Sequence, residues 1–234
     1  MLAPNEQVGH LCATRDQCRG SELIGNVGSL NGAERIGRQA GGIVALIGLL
    51  LAIPGMARSV RASDWVSGRP ELVFRPSRLP VISVGWFATM GSTWRPLPIR
   101  PGPNARVLML VAGTSLYLAG MTLAVVSRLA LGSSYRPSST LGLSLAPKHR
   151  LVTTGPFALV RHPMYVGLCL AAFGALLLYR TWACLLLLAQ LPVLVVRASQ
   201  EDELLSRAFA DEWRSYAQRV NAWLPRLRVR RVPR

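Results

Sequence analysis

The sequence between Pro163 and Val196 reads PMYVGLCLAAFGALLLYRTWACLLLLAQLPVLVV, an apolar run broken only by Arg180-Thr181. A helix that crosses a membrane needs about 20 apolar residues, with a range of roughly 17–25. This run of 34 residues is too long for one crossing and predicts two short helices joined by a tight turn. Tyr179 and Trp182 flank the turn, as aromatic residues do where helix ends meet lipid headgroups.

Three other stretches predict membrane crossings. Ala40–Ala57 and Val107–Ser127 are uncharged and long enough to cross, whereas Leu79–Trp94 contains two Gly and several Ser and Thr. The weaker stretch is either a short span or a buried re-entrant segment. We expect an all-α polytopic membrane protein with five transmembrane helices, or four if Leu79–Trp94 does not cross, followed by a C-terminal amphipathic helix.

The composition of the 234-residue chain agrees with a membrane protein. Half of the residues are hydrophobic, 16% are charged, and the mean hydropathy is +0.31. A soluble domain carries about 25% charged residues, so this chain has too few to cover a water-facing surface. Its net charge of +16 is spread between the apolar runs. Since nucleic-acid binding requires a gathered basic patch, we expect no nucleic-acid partner.

The basic residues also predict an orientation. With five spans, 19 of the 27 fall in the segments 58–78, 128–162 and 197–234, which then share one side of the membrane. Positively charged loops are retained in the cytoplasm. The active site and the C-terminus are therefore expected to be cytoplasmic, in the inner membrane of a bacterium.

The two ends of the chain predict no catalytic role. Residues 1–37 are polar and lack a secretory hydrophobic segment, which predicts a flexible tail. His10, Cys12 and Cys18 have no fourth ligand at zinc-like spacing, so no metal is expected. We expect N-terminal transmembrane helices over 38–130, a catalytic region over 131–225, and a basic tail over 226–234 in contact with headgroups.

Three polar clusters lie next to the predicted spans on one side of the membrane. Polar residues in or beside a membrane helix cost free energy, so they usually have a function. They are the loop 149–157 (HRLVTTGPF), the segment 161–167 (RHPMYVG) and the segment 197–205 (RASQEDELL). Pro163 favours the first position of a helix and disfavours helical angles at His162, so His162 is expected to be extended before a helix N-terminus. Arg197 and Glu201 are four residues apart and share a helix face. A plain salt bridge between these two residues, with His162 as a capping residue, is the alternative interpretation.

The region from His149 to Pro225 resembles the isoprenylcysteine carboxyl methyltransferase family, whose wider group includes phospholipid N-methyltransferases. The shared pattern is a His-x-Leu-Val-x-x-Gly loop, then Arg-His-Pro-x-Tyr-x-Gly, a helical hairpin, an Arg-x-x-x-acid-acid-x-x-Leu segment and a Phe-rich tail ending in Pro. The chain departs from it modestly. Family members commonly carry tyrosine at Phe157, glutamate at Asp202 and glycine at Ala210, and the shorter Asp202 reaches less far than Glu201.

The resemblance implies S-adenosylmethionine as the cofactor, in a cytoplasmic pocket without a Rossmann domain. The residues expected to bind it are His149, Arg150, Leu151, Val152, Gly155, Phe157, His162, Pro163, Met164, Tyr165 and Glu201. Arg197 and Glu201 are expected to be catalytic, with Arg197 orienting the methyl acceptor. An arginine suits a carboxylate acceptor, which is ionised at neutral pH and needs no general base.

The acceptor is expected to be a lipophilic small molecule or a lipidated compound, with membrane lipids as the surroundings and no obligate protein partner. A carboxylate of the isoprenylcysteine kind is preferred over a phospholipid amine or a thiol. A sterol-type reductase that uses NADPH and a non-enzymatic membrane scaffold are the remaining alternatives.

Apolar residues spaced by three and four predict one amphipathic helix over 201–223, with its stripe at Leu205, Phe209, Trp213, Tyr216, Val220 and Trp223.

Overall fold

The computed structural model describes residues 28–48, 50, 79–132 and 150–226. About 80% of this part of the chain is helical and none of it forms a strand, which confirms the all-α prediction. The helices are α1 over 28–48, α2 (Leu79–Ser92), α3 (Pro103–Leu131), α4 (Pro163–Tyr179), α5 (Trp182–Ala189) and α6 (Leu191–Arg219), with a 3-10 turn at Gly155–Ala158.

The predicted hairpin forms at the predicted turn. Helix α4 ends at Tyr179, and the next residue, Arg180, adopts left-handed angles (φ 53°, ψ 50°) and donates its N–H to Leu176 O. The chain then reverses into α5 at Trp182. The segment between α2 and α3 is hydrogen-bonded to this turn. The N–H of Leu97 donates to Arg180 O at 2.8 Å, and the N–H of Trp182 donates to Arg95 O at 3.1 Å.

Two helical stretches within the described residues are long and apolar enough to cross a membrane. They are Pro103–Leu131 and Trp182–Arg219, the second made of α5 and α6 together. Helix α4 is apolar but shorter, and α2 has only 14 residues. The predicted count of five spans is not confirmed, and residues 51–57 of the predicted first span lie outside the described part. The helices are those of a membrane-associated protein.

Helices α3 and α4 pack closely through glycines. Gly113 and Gly120 on α3 face Gly167 and Gly174 on α4, and within each helix the two glycines are two turns apart. A Cβ on Gly167 would lie 2.6 Å from Gly120 O and 2.7 Å from Ala124 N. Small residues allow such backbone contact between membrane helices, so this interface sets the position of α4.

Helix α1 begins at residue 28, so the predicted boundary of the N-terminal tail at residue 37 falls inside a helix. Long-range ion pairs fix this first part of α1 to the turn end of the hairpin. The Glu34 carboxylate accepts from Arg106 at 3.1 Å and from Arg180 at 3.0 Å, and it lies 3.6 Å from Arg38. We call these four residues the Glu34 cluster.

The predicted uninterrupted amphipathic helix over 201–223 is wrong in two respects. Helix α6 bends at Ala210, whose angles (φ 40°, ψ −106°) are not helical, and it ends at Arg219. Val220 and Trp223 therefore lie beyond the helix. The burial of Trp213 and Tyr216 agrees with the predicted stripe.

Candidate functional site

The N-terminus of α4 brings two distant segments together. Pro163 is the first helical residue, as predicted, and the buried His162 precedes it with φ −120° and ψ 56°. The His162 side chain does not cap the helix. The N–H groups of Arg161 and His162 donate to Asn221 O at 2.8 Å and Ala222 O at 3.1 Å. The segment after α6 is thereby fixed beside the start of α4.

Asp202 bonds to both residues that precede α4. Its Oδ1 lies 2.9 Å from His162 Nε2, and its Oδ2 lies 3.2 Å from Arg161 Nη1. A carboxylate accepts hydrogen bonds, so His162 Nε2 carries a proton in this arrangement. In a neutral imidazole the other nitrogen, Nδ1, is then an acceptor.

Glu201 is bonded by the two other polar residues of the site. The Tyr165 hydroxyl donates to Glu201 Oε1 at 2.5 Å, and Arg197 Nε lies 3.6 Å from the same oxygen. The i, i+4 salt bridge considered from the sequence is therefore present, with a tyrosine from α4 added to it. We call Arg161, His162, Tyr165, Arg197, Glu201 and Asp202 together the Asp202 cluster.

Aromatic rings surround the charged groups. The His162 ring lies 5.8 Å from the Tyr165 ring, nearly parallel to it, and 5.8 Å from the Trp223 ring. The Arg161 guanidinium stands 5.4 Å over Trp213. Since a guanidinium over a ring face is attracted by the ring quadrupole, Trp213 helps to hold Arg161 in place.

The 3-10 turn joins the site through its backbone. The buried Tyr216 hydroxyl donates to Phe157 O at 2.7 Å. Gly155 begins the turn with a positive φ of 62°, which glycine adopts without steric cost. This contact fixes the predicted loop next to the last turns of α6.

The predicted site residues divide into two groups. His162, Tyr165, Arg197 and Glu201 come together in the Asp202 cluster, and Pro163 and Phe157 shape its backbone. The other described residues take no part in these contacts: Arg150, Leu151, Val152, Gly155 and Met164. His149 lies outside the described part.

Arg161 and Asp202 were not among the predicted site residues, although both belong to the motifs. Their signal was present in the sequence, because each is directly adjacent to a predicted residue. Arg161 Nε is buried and has no hydrogen-bond partner among the described residues. A buried donor of this kind costs free energy unless a ligand or water accepts from it.

The donors and acceptors of the cluster fit an amino-acid-like ligand with hydroxyl groups. Arg161 offers a donor for a carboxylate, Glu201 and Asp202 are acceptors for an ammonium or hydroxyls, and the rings of Tyr165 and Trp223 are apolar faces. No group of three or more His, Cys, Asp or Glu side chains in the described ranges is placed to hold a metal ion.

Residues 108–212 match the sequence profile of the phospholipid methyltransferase family. This region of the chain matches that family, which confirms the resemblance predicted from the motifs. The matched range contains α4, α5 and most of α3 and α6, and thus every residue of the Asp202 cluster. It begins well before His149 because it includes most of α3, which packs on α4 through the glycines.

Two curated proteins are similar to the chain. The nickel-cobalt-cadmium resistance protein NccN of Alcaligenes xylosoxydans xylosoxydans is 39% identical over 114 residues, which are 47% of this chain and 48% of NccN. The cobalt-zinc-cadmium resistance protein CzcN of Cupriavidus metallidurans is 36% identical over 121 residues, 50% of this chain and 51% of CzcN. The match thus spans about half the length of each relative.

Proposed function

We propose that the protein is a membrane methyltransferase that uses S-adenosylmethionine and methylates a lipophilic acceptor. The observation that carries the proposal is the Asp202 cluster, in which the RHPMY segment at the start of α4 meets Glu201 and Asp202 of α6 within the region that matches the family.

Different residues of the site bind different parts of the cofactor. Arg161 binds the carboxylate end, while His162 Nδ1, Glu201 and Asp202 accept hydrogen bonds from the ammonium or the ribose hydroxyls. The loop around Leu151 and Val152 covers the adenine. When bound, S-adenosylmethionine supplies an electrophilic methyl group. The protein contributes orientation and exclusion of water, because alignment of two reactants supplies much of the rate when no proton has to move.

The acceptor in this proposal is a carboxylate on a lipophilic molecule, as in isoprenylcysteine. Both acids of the cluster are already engaged as hydrogen-bond acceptors, Glu201 by Tyr165 and Asp202 by His162 and Arg161. A protonated amine or thiol would need one of them as a general base, whereas a carboxylate is ionised at neutral pH. Arg197 orients the acceptor, at the point where α6 leaves its apolar half. The active site faces the cytoplasm, where the cofactor is.

A role in metal resistance is a second candidate, favoured by the names of the two relatives. In that case the methylated lipophilic product, rather than a metal bound by this chain, would contribute to tolerance. The test is growth on graded cobalt or cadmium of cells expressing the wild type or Arg197→Ala. Equal tolerance in both strains would remove this candidate and leave the enzymatic proposal intact.

The cofactor is tested by titrating the purified full-length protein in detergent with S-adenosylhomocysteine and, separately, with NADPH. We expect binding in the micromolar range for the first and none for the second. Glu201→Gln should weaken that binding, while Glu203→Gln is the matched control, because Glu203 is exposed and pairs only with Arg207 in the described contacts. Binding of NADPH alone would favour a reductase, and binding of neither would favour a scaffold.

The acceptor class is tested with radiolabelled methyl donor and a membrane extract. A methyl ester releases volatile methanol in mild base, whereas N-methyl and S-methyl products keep the label. We expect base-labile label that Arg197→Ala abolishes. Base-stable label would reject the carboxylate acceptor while retaining the methyltransferase.

A further inference from the structure

A polar cleft lies beside α1 at the Glu34 cluster, at the opposite end of α4 from the Asp202 cluster. Its volume is about 430 Å³, and it is lined by Asn31, Glu34, Arg35, Arg38 and Gln39. The 17 residues of α4 separate the two ends by about 25 Å, since a helix rises 1.5 Å per residue. Methyl transfer as proposed above makes no use of this cleft.

The cleft is positively charged. Glu34, the one carboxylate among these lining residues, already accepts from Arg106 and Arg180 and lies 3.6 Å from Arg38. Its single negative charge cannot balance these three arginines together with Arg35. The lining therefore favours an anion.

The side chains on the exposed face of α1 offer hydrogen-bond donors. Asn31, Arg35 and Gln39 are exposed and four residues apart, which places them on one helix face. The Asn31 side-chain oxygen accepts from Arg106 Nη2 at 2.6 Å, so its amide N–H groups are the part directed to other partners. Arginine and amide N–H donors in a row suit the oxygens of a phosphate.

The same face continues as an apolar surface. Ile43 and Ile47 extend the four-residue spacing and are 60% and 51% exposed, and the neighbouring Leu46 and Leu50 are 54% and 55% exposed. The face therefore changes from charged to apolar along about two turns of helix. A phospholipid has this order of chemistry, with a phosphate followed by acyl chains.

We infer that this face of α1 binds one anionic phospholipid, with its phosphate in the cleft at Arg35 and Arg38 and its acyl chains along Ile43 and Ile47. The lipid lies along α1, beside the Glu34 cluster that joins α1 to the turn end of the hairpin. It is a bound structural lipid and not the methyl acceptor, which is expected at the other end of α4.

The experiment measures the thermal unfolding of the full-length protein in a nonionic detergent. Phosphatidylglycerol, phosphatidylcholine or inorganic phosphate is added separately, and native mass spectrometry counts bound lipid. Arg35→Gln removes the cleft charge. Arg100→Gln is the matched control, because this exposed arginine precedes α3 and does not line the cleft.

We expect phosphatidylglycerol to raise Tm by about 5 °C or more in the wild type and in Arg100→Gln, with one lipid retained per chain. In Arg35→Gln the rise should fall to less than half. Equal rises in both variants would overturn the site, because they would show general adsorption to a basic surface. A full rise with inorganic phosphate or with phosphatidylcholine would overturn the anionic lipid as occupant. None of these readouts depends on methyl transfer, so the proposed function can fail independently.

Discussion

Helix α4 has a polar cluster at each end, and the two are built differently. At the turn end, one carboxylate, Glu34, has a side chain only 10% exposed and is surrounded by three arginines. At the other end, two carboxylates share two arginines, an imidazole and a phenol, and the side chains of Arg197 and Glu201 are each 28% exposed.

The difference separates a cluster that joins helices from a candidate cofactor site. A buried acid that is fully bonded by arginines stabilises one arrangement of helices, and removing a partner from such a set is costly. A partly open cluster that mixes donors, acceptors and aromatic faces can exchange some of these contacts for a ligand. We therefore expect mutations at the Glu34 cluster to change stability, and mutations at the Asp202 cluster to change binding and turnover.

The largest effect is expected at the glycine interface between α3 and α4, because the positions of both ends of α4 depend on it. Gly167→Ala places a Cβ 2.6 Å from Gly120 O and 2.7 Å from Ala124 N, so α3 and α4 must separate. We expect a destabilisation of roughly 3 kcal/mol or more, with loss of folded protein on size-exclusion chromatography. Gly85→Ala on α2 meets no atom within 4 Å and should leave folding unchanged or improved. A well-folded Gly167→Ala would mean that the glycines do not position α4.

At the Asp202 cluster, Arg197→Ala should lower turnover by about a hundredfold while preserving the affinity for S-adenosylhomocysteine. A lost charge-assisted hydrogen bond costs roughly 1.5–3 kcal/mol, and misalignment of the acceptor adds to that. Arg197→Lys should recover only part of the rate, since lysine keeps the charge and loses the planar fork. Steady-state kinetics beside calorimetric titration separates the two readouts. If Arg197→Ala loses as much cofactor affinity as Glu201→Gln, Arg197 belongs to the cofactor side.

At the Glu34 cluster, Glu34→Gln should destabilise the protein by about 1–3 kcal/mol at neutral pH. Although burial acts to raise it, hydrogen bonds from Arg106 and Arg180 hold the pKa of Glu34 below its ordinary value of 4.5. A lowered folded pKa gives stability that is present above the unfolded value and is lost as the pH falls through the folded one.

Thermal unfolding at neutral and acidic pH checks this expectation. The difference in stability between the wild type and Glu34→Gln should shrink as the pH falls below 4.5. Glu203→Gln, which changes an exposed acid, should have little effect at any pH. A difference that grows on acidification would contradict the proposed ion pairing.

The smallest effect is expected at the bend of α6. Ala210 has a φ of 40°, in the range that side chains disfavour and glycine adopts freely. Ala210→Gly should therefore stabilise the protein by about 1 kcal/mol. Ala208→Gly, in the helical part of α6, should instead destabilise it by about 1 kcal/mol. Denaturant unfolding of both variants distinguishes the bend from a continuous helix, in which both changes would destabilise.

Local features of the sequence predicted a large part of this architecture. The apolar run from Pro163 gave the hairpin and its turn at Arg180, and proline chemistry gave the start of α4. The Glu34 cluster was not predictable in this way, because Arg106 and Arg180 lie 72 and 146 residues after Glu34 in the chain. The bend at Ala210 was missed because alanine favours helix, although the glycine that the related family carries there was a signal.

The candidate site was predicted in outline. His162, Tyr165, Arg197 and Glu201 were identified from motif spacing, and the structure brings them together. Asp202 was expected to reach less far than Glu201, yet it is the residue that bonds both Arg161 and His162. Its role depends on how α4 and α6 approach each other, which spacing within one helix does not determine.

The central claim, that the Asp202 cluster binds the cofactor and the Glu34 cluster does not, is tested most directly by two matched neutralisations. Asp202→Asn and Glu34→Gln each remove one carboxylate charge, and each variant is titrated with S-adenosylhomocysteine and unfolded thermally. We predict that Asp202→Asn weakens binding by about tenfold or more, while Glu34→Gln lowers Tm and leaves the affinity within about twofold. A cofactor affinity that falls in Glu34→Gln and is unchanged in Asp202→Asn would contradict the account.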